Sequence, residues 1–289
     1  MFFTEFMISF RIIFLIIIFI FTSTGNIFSQ NNAPECTNGI IDLNSYDFEK
    51  SEVVRLDGEW LFIPNELVNP EEINYYQDIF ITQKIPFIWK KIDNNRKFTS
   101  GTYFLKLILP PEKRIYAIKK KRFLTSSKIF VNGELLLEQG ITSESKSGFY
   151  PEDKPAIVTF FTEKDTLELV IQISNFYHNK GGIINSIYFG TSEKIIKKSL
   201  DDSGKEYLLV GILILILISQ FALYFFQNKQ KQYLIFGFAL FFSLITSLTE
   251  SEYIIFKFLP QIHLGIVYKL KYLGNFMRVP MFVLFLNMV

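Results

Sequence analysis

The sequence predicts an all-β exported sandwich followed by α-helical transmembrane segments. Three features carry this reading. Residues from about 40 to 190 form short apolar–polar runs punctuated by turn residues, the chain becomes strongly apolar after residue 206, and a short apolar run behind one positive charge precedes residue 22. Short alternating runs with turns between them suit half-buried strands, whereas runs of roughly 20 apolar residues suit helices that cross a bilayer.

Composition bounds the answer further. The chain has 289 residues, room for one soluble domain of ordinary size plus membrane segments. A net charge of +2 makes no case for nucleic acid. The single cysteine, Cys36, excludes an intrachain disulfide framework and a cysteine-based zinc site. The histidines, His178 and His263, lie far apart, so neither a metal centre nor a cofactor is expected.

The first stretch, "MFFTEFMISFRIIFLIIIFIFTSTGNIFSQ", has Arg11, an apolar run too short for a comfortable span, then small and polar residues. That is the pattern of a signal peptide over residues 1–29, with Ser23 and Gly25 suited to a cleavage site. An uncleaved anchor is the other reading, and in either case the domain after it is exported. Glu35 is a poor neighbour for a lipidated cysteine, so Cys36 reads as a free thiol.

The sandwich is placed over residues 30–195. "RLDGEWLFIP" sets an Asp57-Gly58 turn before an aromatic-apolar run that includes Trp60, which fits a core. "TYFLKLILP" puts Tyr103, Leu105, Leu107 and Leu109 on one face. In "KIFVNGELLLEQG", Asn132-Gly133 supplies the two positive-φ positions of a type I′ hairpin. "TLELVIQIS" alternates Leu167, Leu169, Ile171 and Ile173 against Glu168 and Gln172. No stretch here carries a helical period, and a domain of this size can bury a core without disulfides.

A polar juxtamembrane linker or helix comes next over 196–206, then the start of a helical membrane core over 207–289, with spans near 207–226, 233–249 and 272–289. Lys229 and Lys231 in "QNKQKQ" mark a cytoplasmic loop. Glu250 and Glu252 begin a loop on the outer side. In the third run Arg278 can snorkel and Pro280 can kink the helix. The chain stops at Val289 while still apolar, as a truncated frame or fragment would.

Taken in order, "IIDLNSYDFEKSEVVRLDGEWLFIP", "IPFIWK", "GTYFLKLILP", "SKIFVNGELLLEQG", "IQISNFYHNKGGI", "IYFG" and the apolar runs resemble bacterial seven-transmembrane receptors with diverse intracellular signalling modules (7TMR-DISM). The resemblance implies a jelly-roll sandwich, similar to the galactose-binding-like domain of glycoside hydrolase family 2 enzymes. It implies a sensor in the periplasm, anchored in the bacterial inner membrane, for a small extracellular ligand such as a carbohydrate. The signal would pass through the helices to a cytoplasmic cyclase, kinase or phosphatase. The later helices and output module of that pattern are missing here.

The candidate ligand-binding residues are Trp89, Tyr177, His178 and Lys180. Aromatic faces stack on sugars, and His178 adds a donor and an acceptor. Asn175, Gly181 and Gly182 read as structural strand-end and turn residues, alongside Asp57, Gly58, Asn132 and Gly133. Three readings of the 175–182 stretch stand together: a plain turn, a ligand-contacting loop, and a contact with the outer ends of the helices. The basic run "IKKKRF" (Lys119, Lys120, Lys121, Arg122) reads as a solvated strand edge or a contact with anionic lipid or polysaccharide.

No catalytic residue is proposed: nucleophile-elbow, Walker and zinc motifs are all absent from the sequence. The function expected is the N-terminal part of a membrane receptor, in contact with lipid. The alternative is a membrane-anchored carbohydrate-binding or adhesin-like protein without signalling.

Overall fold

The computed structural model describes residues 34–288, except 90, 93–94, 97 and 112 and the side chains of 91–92 and 95–96; the expected signal segment lies outside these residues. In chain order the strands are β1 (Ile40–Asp42), β2 (Val54–Arg55), β3 (Gly58–Pro64), β4 (Ile81–Ile85), β5 (Lys91–Ile92), β6 (Asn95–Arg96), β7 (Ser100–Ile108) and β8 (Arg114–Lys120). They continue with β9 (Phe123–Leu124), β10 (Ser126–Val131), β11 (Glu134–Gln139), β12 (Ala156–Thr162), β13 (Thr166–Ser174), β14 (Gly182–Ile183) and β15 (Tyr188–Thr191).

The larger sheet runs β11-β10-β13-β7-β3-β4, and β1 lies parallel to the far half of β7. The smaller sheet runs β12-β8-β15-β2. Tyr103, Leu105, Leu107, Leu167, Leu169, Ile171 and Ile173 face Tyr116, Ile118, Phe189 and Val54 of the smaller sheet in one buried cluster. Strand alternation decides this, because residues i and i+2 share a face. Each such side chain contributes about 1.5–3 kcal/mol by leaving water. Trp60 is in the same core and donates its indole N–H to the Leu56 carbonyl at 2.9 Å.

Two local readings gain detail. Asp57-Gly58 stands at a strand end, as expected: β2 pairs with β15 in the smaller sheet and β3, which begins at Gly58, with β7 in the larger, so this dipeptide carries the chain from one sheet to the other. Gln172 is buried rather than solvent-facing, because the segment around Val68 covers that face and its carbonyl accepts from the Gln172 side chain at 2.9 Å. Asn132 and Gly133 have φ of 50° and 88°, the left-handed pair that closes the β10–β11 hairpin.

Three long helices complete the chain: α1 (Ser192–Phe226), α2 (Lys231–Leu248) and α3 (Leu264–Leu286), with one helical turn at Ile255–Phe258. Of the two readings of 196–206, linker or helix, the structure gives the helix: the segment is part of α1, which is 35 residues long. At 1.5 Å per residue that is about 52 Å, more than the roughly 30 Å of hydrocarbon in a bilayer, so its polar first turns extend past the apolar section. Among the described residues, two helices, α1 and α2, are long and apolar enough to cross a membrane. The third span expected near 272–289 overlaps the second half of α3, which carries Lys269 and Lys271 ahead of that stretch and Arg278 inside it.

Candidate functional site: the junction of sandwich and helices

The basic run corrects the sequence reading. β8 is not an edge strand, since β12 and β15 flank it, and Lys119 and Lys120 are 1% and 0% exposed. The period of two sends alternate cations to different partners. Lys119 Nζ donates to Asp202 of α1 and to Glu252 of the 249–254 loop, both at 3.0 Å. Lys121 reaches the same Glu252 at 2.9 Å. On the other face, Asp153 meets Lys120 at 3.5 Å and Arg122 at 3.3 Å, and accepts from the Phe123 amide at 3.0 Å.

Arg122 also crosses to the helices. It donates to the Tyr268 hydroxyl of α3 at 3.0 Å, and its guanidinium lies 4.9 Å from the Tyr253 ring centroid and 5.5 Å from that of Tyr268. Burial alone would lower the pKa of Lys121 and of Arg122. Glu252 and Asp202 raise it for Lys121, and Asp153 does the same for Arg122. Lys120, buried completely, is pulled down by desolvation against the attraction of Asp153.

Asn175 organises the 175–182 stretch. Its side-chain amide donates to the carbonyls of His178 and Lys180 at 2.8 and 2.6 Å, and its oxygen accepts from the amides of Tyr177 and His178 at 3.2 and 2.8 Å. The loop thus replaces water with one buried side chain. Gly182 has φ of 90° and lies beside the Phe87 carbonyl and the Trp89 ring, where a Cβ would meet both at 2.9 Å.

The loop so shaped presents its rings to α3. The Tyr177 ring stacks on Tyr268 with centroids 6.3 Å apart. His178 Nδ1 lies 3.1 Å from the Lys180 amide and 3.2 Å from the Lys180 carbonyl, and Nε2 is 2.8 Å from the Tyr272 hydroxyl, so both ring nitrogens have a partner in either tautomer. Burial holds the His178 pKa below its ordinary 6.5, opposed by the backbone hydrogen bond with Lys180 and aided by the nearby charges of Arg122, Lys180 and Lys271.

Of the candidate ligand residues, Tyr177 and His178 are therefore brought together against α3, and Lys180 is exposed beside them. Trp89 is corrected. It is 3% exposed, donates to the Tyr103 hydroxyl at 2.8 Å and packs against Phe62 and Phe98, so its ring belongs to the core. Sequence reasoning missed Asp153, Asp202, Tyr268 and Tyr272, and gave Glu252 only a topological role. Asp153 follows Glu152 and Asp202 follows Asp201, so neither acid stood out in the sequence. Among the described residues, no group of three or more His, Cys, Asp or Glu side chains is placed to hold a metal ion.

No protein-family model and no curated protein matches the chain. Solved structures are similar to it in part only. A putative beta-galactosidase from Bacteroides fragilis is 16% identical with a TM-score of 0.36, over 48% of this chain and 23% of its own. A Bacteroides uniformis beta-glucuronidase gives 16% and 0.39, over 48% and 18%. A GH2 beta-galacturonidase from Eisenbergiella tayi bound to galacturonate gives 11% and 0.34, over 48% and 24%. This chain therefore spans less than a quarter of each of those proteins, and their activities remain their own.

Proposed function

We propose that this chain is the sensing and membrane-entry part of a receptor, in which the sandwich meets a small extracytoplasmic solute and passes its state to the helices. In this reading α1 and α2 cross a bacterial inner membrane, the loop with Lys229 is cytoplasmic, and the sandwich and the 249–263 loop share the periplasmic side. The sandwich is of the galactose-binding-like jelly-roll kind, carbohydrates are the first solutes to test, and the relatives are the 7TMR-DISM receptors. The chain itself catalyses nothing.

The observation that supports this most is the Lys119 junction with Asp202 and Glu252. An inert anchor needs a tether and no more. Here a buried strand of the sandwich is ion-paired to α1 and to the loop that joins α2 to α3, so a shift in the strand must move or break charges held by the helices. Buried ion pairs are weak as sources of stability but strict about geometry when one partner moves.

Hydrogen–deuterium exchange on the intact chain in lipid nanodiscs tests the proposal. A solute that stabilises the sandwich should also change exchange across 249–268. Stabilisation confined to the sandwich would instead indicate a tethered binding protein, and glycoside turnover would sink both readings.

A further inference from the structure

A cavity of about 320 Å³ lies between the sandwich and the helix ends. Lys119, Lys154 and Ala156 come to it from the sandwich, Ser203 from α1, and Glu252 and Phe256 from the segment before α3. Its size falls in the range of small-molecule sites, roughly 300–1,000 Å³.

The chemistry of the wall is uneven. Lys119 is satisfied by Asp202 and Glu252, and Lys154 by Glu152 at 2.8 Å. Lys257, also in the wall, lies 3.2 Å from the Ser203 hydroxyl and 5.3 Å from the Tyr207 ring centroid, with no carboxylate in ion-pair range among the described residues. One positive charge is thus left over. Tyr253, another wall residue, keeps its hydroxyl buried without a hydrogen-bond partner among the described residues. The Phe256 ring and the Ala156 methyl supply an apolar face.

We propose that this cavity binds a small hydroxylated carboxylate. Lys257 would hold the carboxylate, where a charge-assisted bond is about twice as strong as a neutral one. Ser203 and Glu252 would take hydroxyls, and Phe256 would cover the C–H face. The site joins two strand-borne residues to residues of α1 and of the 249–258 segment, so occupancy bears on the sandwich and the helices at once. The binding stands on the cavity alone, and its role as the sensed signal rests on the receptor reading.

The test is thermal unfolding of the intact chain in phosphatidylcholine nanodiscs with D-glucuronate, using D-glucose as the neutral match. Glucuronate should raise the midpoint saturably and glucose should not. Lys257 is exposed, so Lys257→Gln should fold, with its glucuronate affinity reduced about tenfold or more. Ser203→Ala gives a second variant, with a smaller loss. Three results would overturn the site: no shift with glucuronate or with the shorter acids glycerate and lactate, equal shifts with glucose, or a glucuronate shift unchanged in both variants. The first leaves the receptor reading open to neutral solutes, and the other two locate binding elsewhere on the same protein.

Discussion

Lys119 and Glu252 meet at 3.0 Å although 133 residues separate them, and the contact joins the sandwich to the loop between two helices. Both side chains are buried, and Lys121 and Asp202 complete the group. Lys119 and Glu252 have little water around them to fall back on, while Lys121 and Asp202 are partly exposed.

Removing Lys119 should therefore cost far more than removing a surface lysine. Lys119→Met strands Asp202 and Glu252 with Lys121 as the main remaining cation, and a broken buried pair costs about 3–5 kcal/mol. Lys128→Met, at a partly exposed pair with Glu138, should cost about 0–1 kcal/mol. Thermal unfolding of both variants checks the contrast.

Asn175→Ala should loosen the loop without opening the sandwich. The change strands the carbonyls of His178 and Lys180 and the amides of Tyr177 and His178, each costing about 1–3 kcal/mol where water cannot enter. Faster amide exchange at 177–181, with strands β7 and β13 still protected, is the expected result.

Two glycines with similar φ should respond differently to alanine. Gly133→Ala adds a Cβ into open space and incurs backbone strain alone, about 1 kcal/mol. Gly182→Ala also drives a Cβ into the Phe87 carbonyl and the Trp89 ring. Its unfolding midpoint should fall clearly further.

The contact of His178 with α3 should weaken in mild acid. Because the folded pKa lies below the ordinary 6.5, the unfolded chain binds more protons in this window, and stability is full above 6.5 and falls as pH drops through the folded value. Burial and the charges of Arg122, Lys180 and Lys271 oppose the added proton and together outweigh the hydrogen bond with the Lys180 backbone, which favours it. His178→Asn should remove this part of the pH dependence of the unfolding midpoint.

How far these features were legible depends on the range over which each is determined. The alternation through Tyr103, Leu105 and Leu107 and through Leu167 to Ile173 is local, and it marked the inner face of the larger sheet. Asn132-Gly133 marked its hairpin for the same reason. The basic run misled because its partners are remote: Lys119 finds Asp202 83 residues away and Arg122 finds Tyr268 146 residues away. Beside Lys90, Lys91 and Asp93 the sequence left Trp89 open between an exposed loop position and the core, and the Gly181-Gly182 loop folds over it. Contact of the 175–182 loop with the helices was one of three readings the residues allowed, and its side-chain pattern alone did not choose among them.

The most direct test of a sandwich energetically joined to the helices is a double-mutant cycle on Lys119→Met and Glu252→Gln, read by unfolding of the intact chain in nanodiscs. The junction predicts that the double variant loses less than the two single losses combined, by about 1 kcal/mol or more. Strictly additive losses would mean that the two charges do not feel each other, and that the sandwich rests beside the helices without being coupled to them.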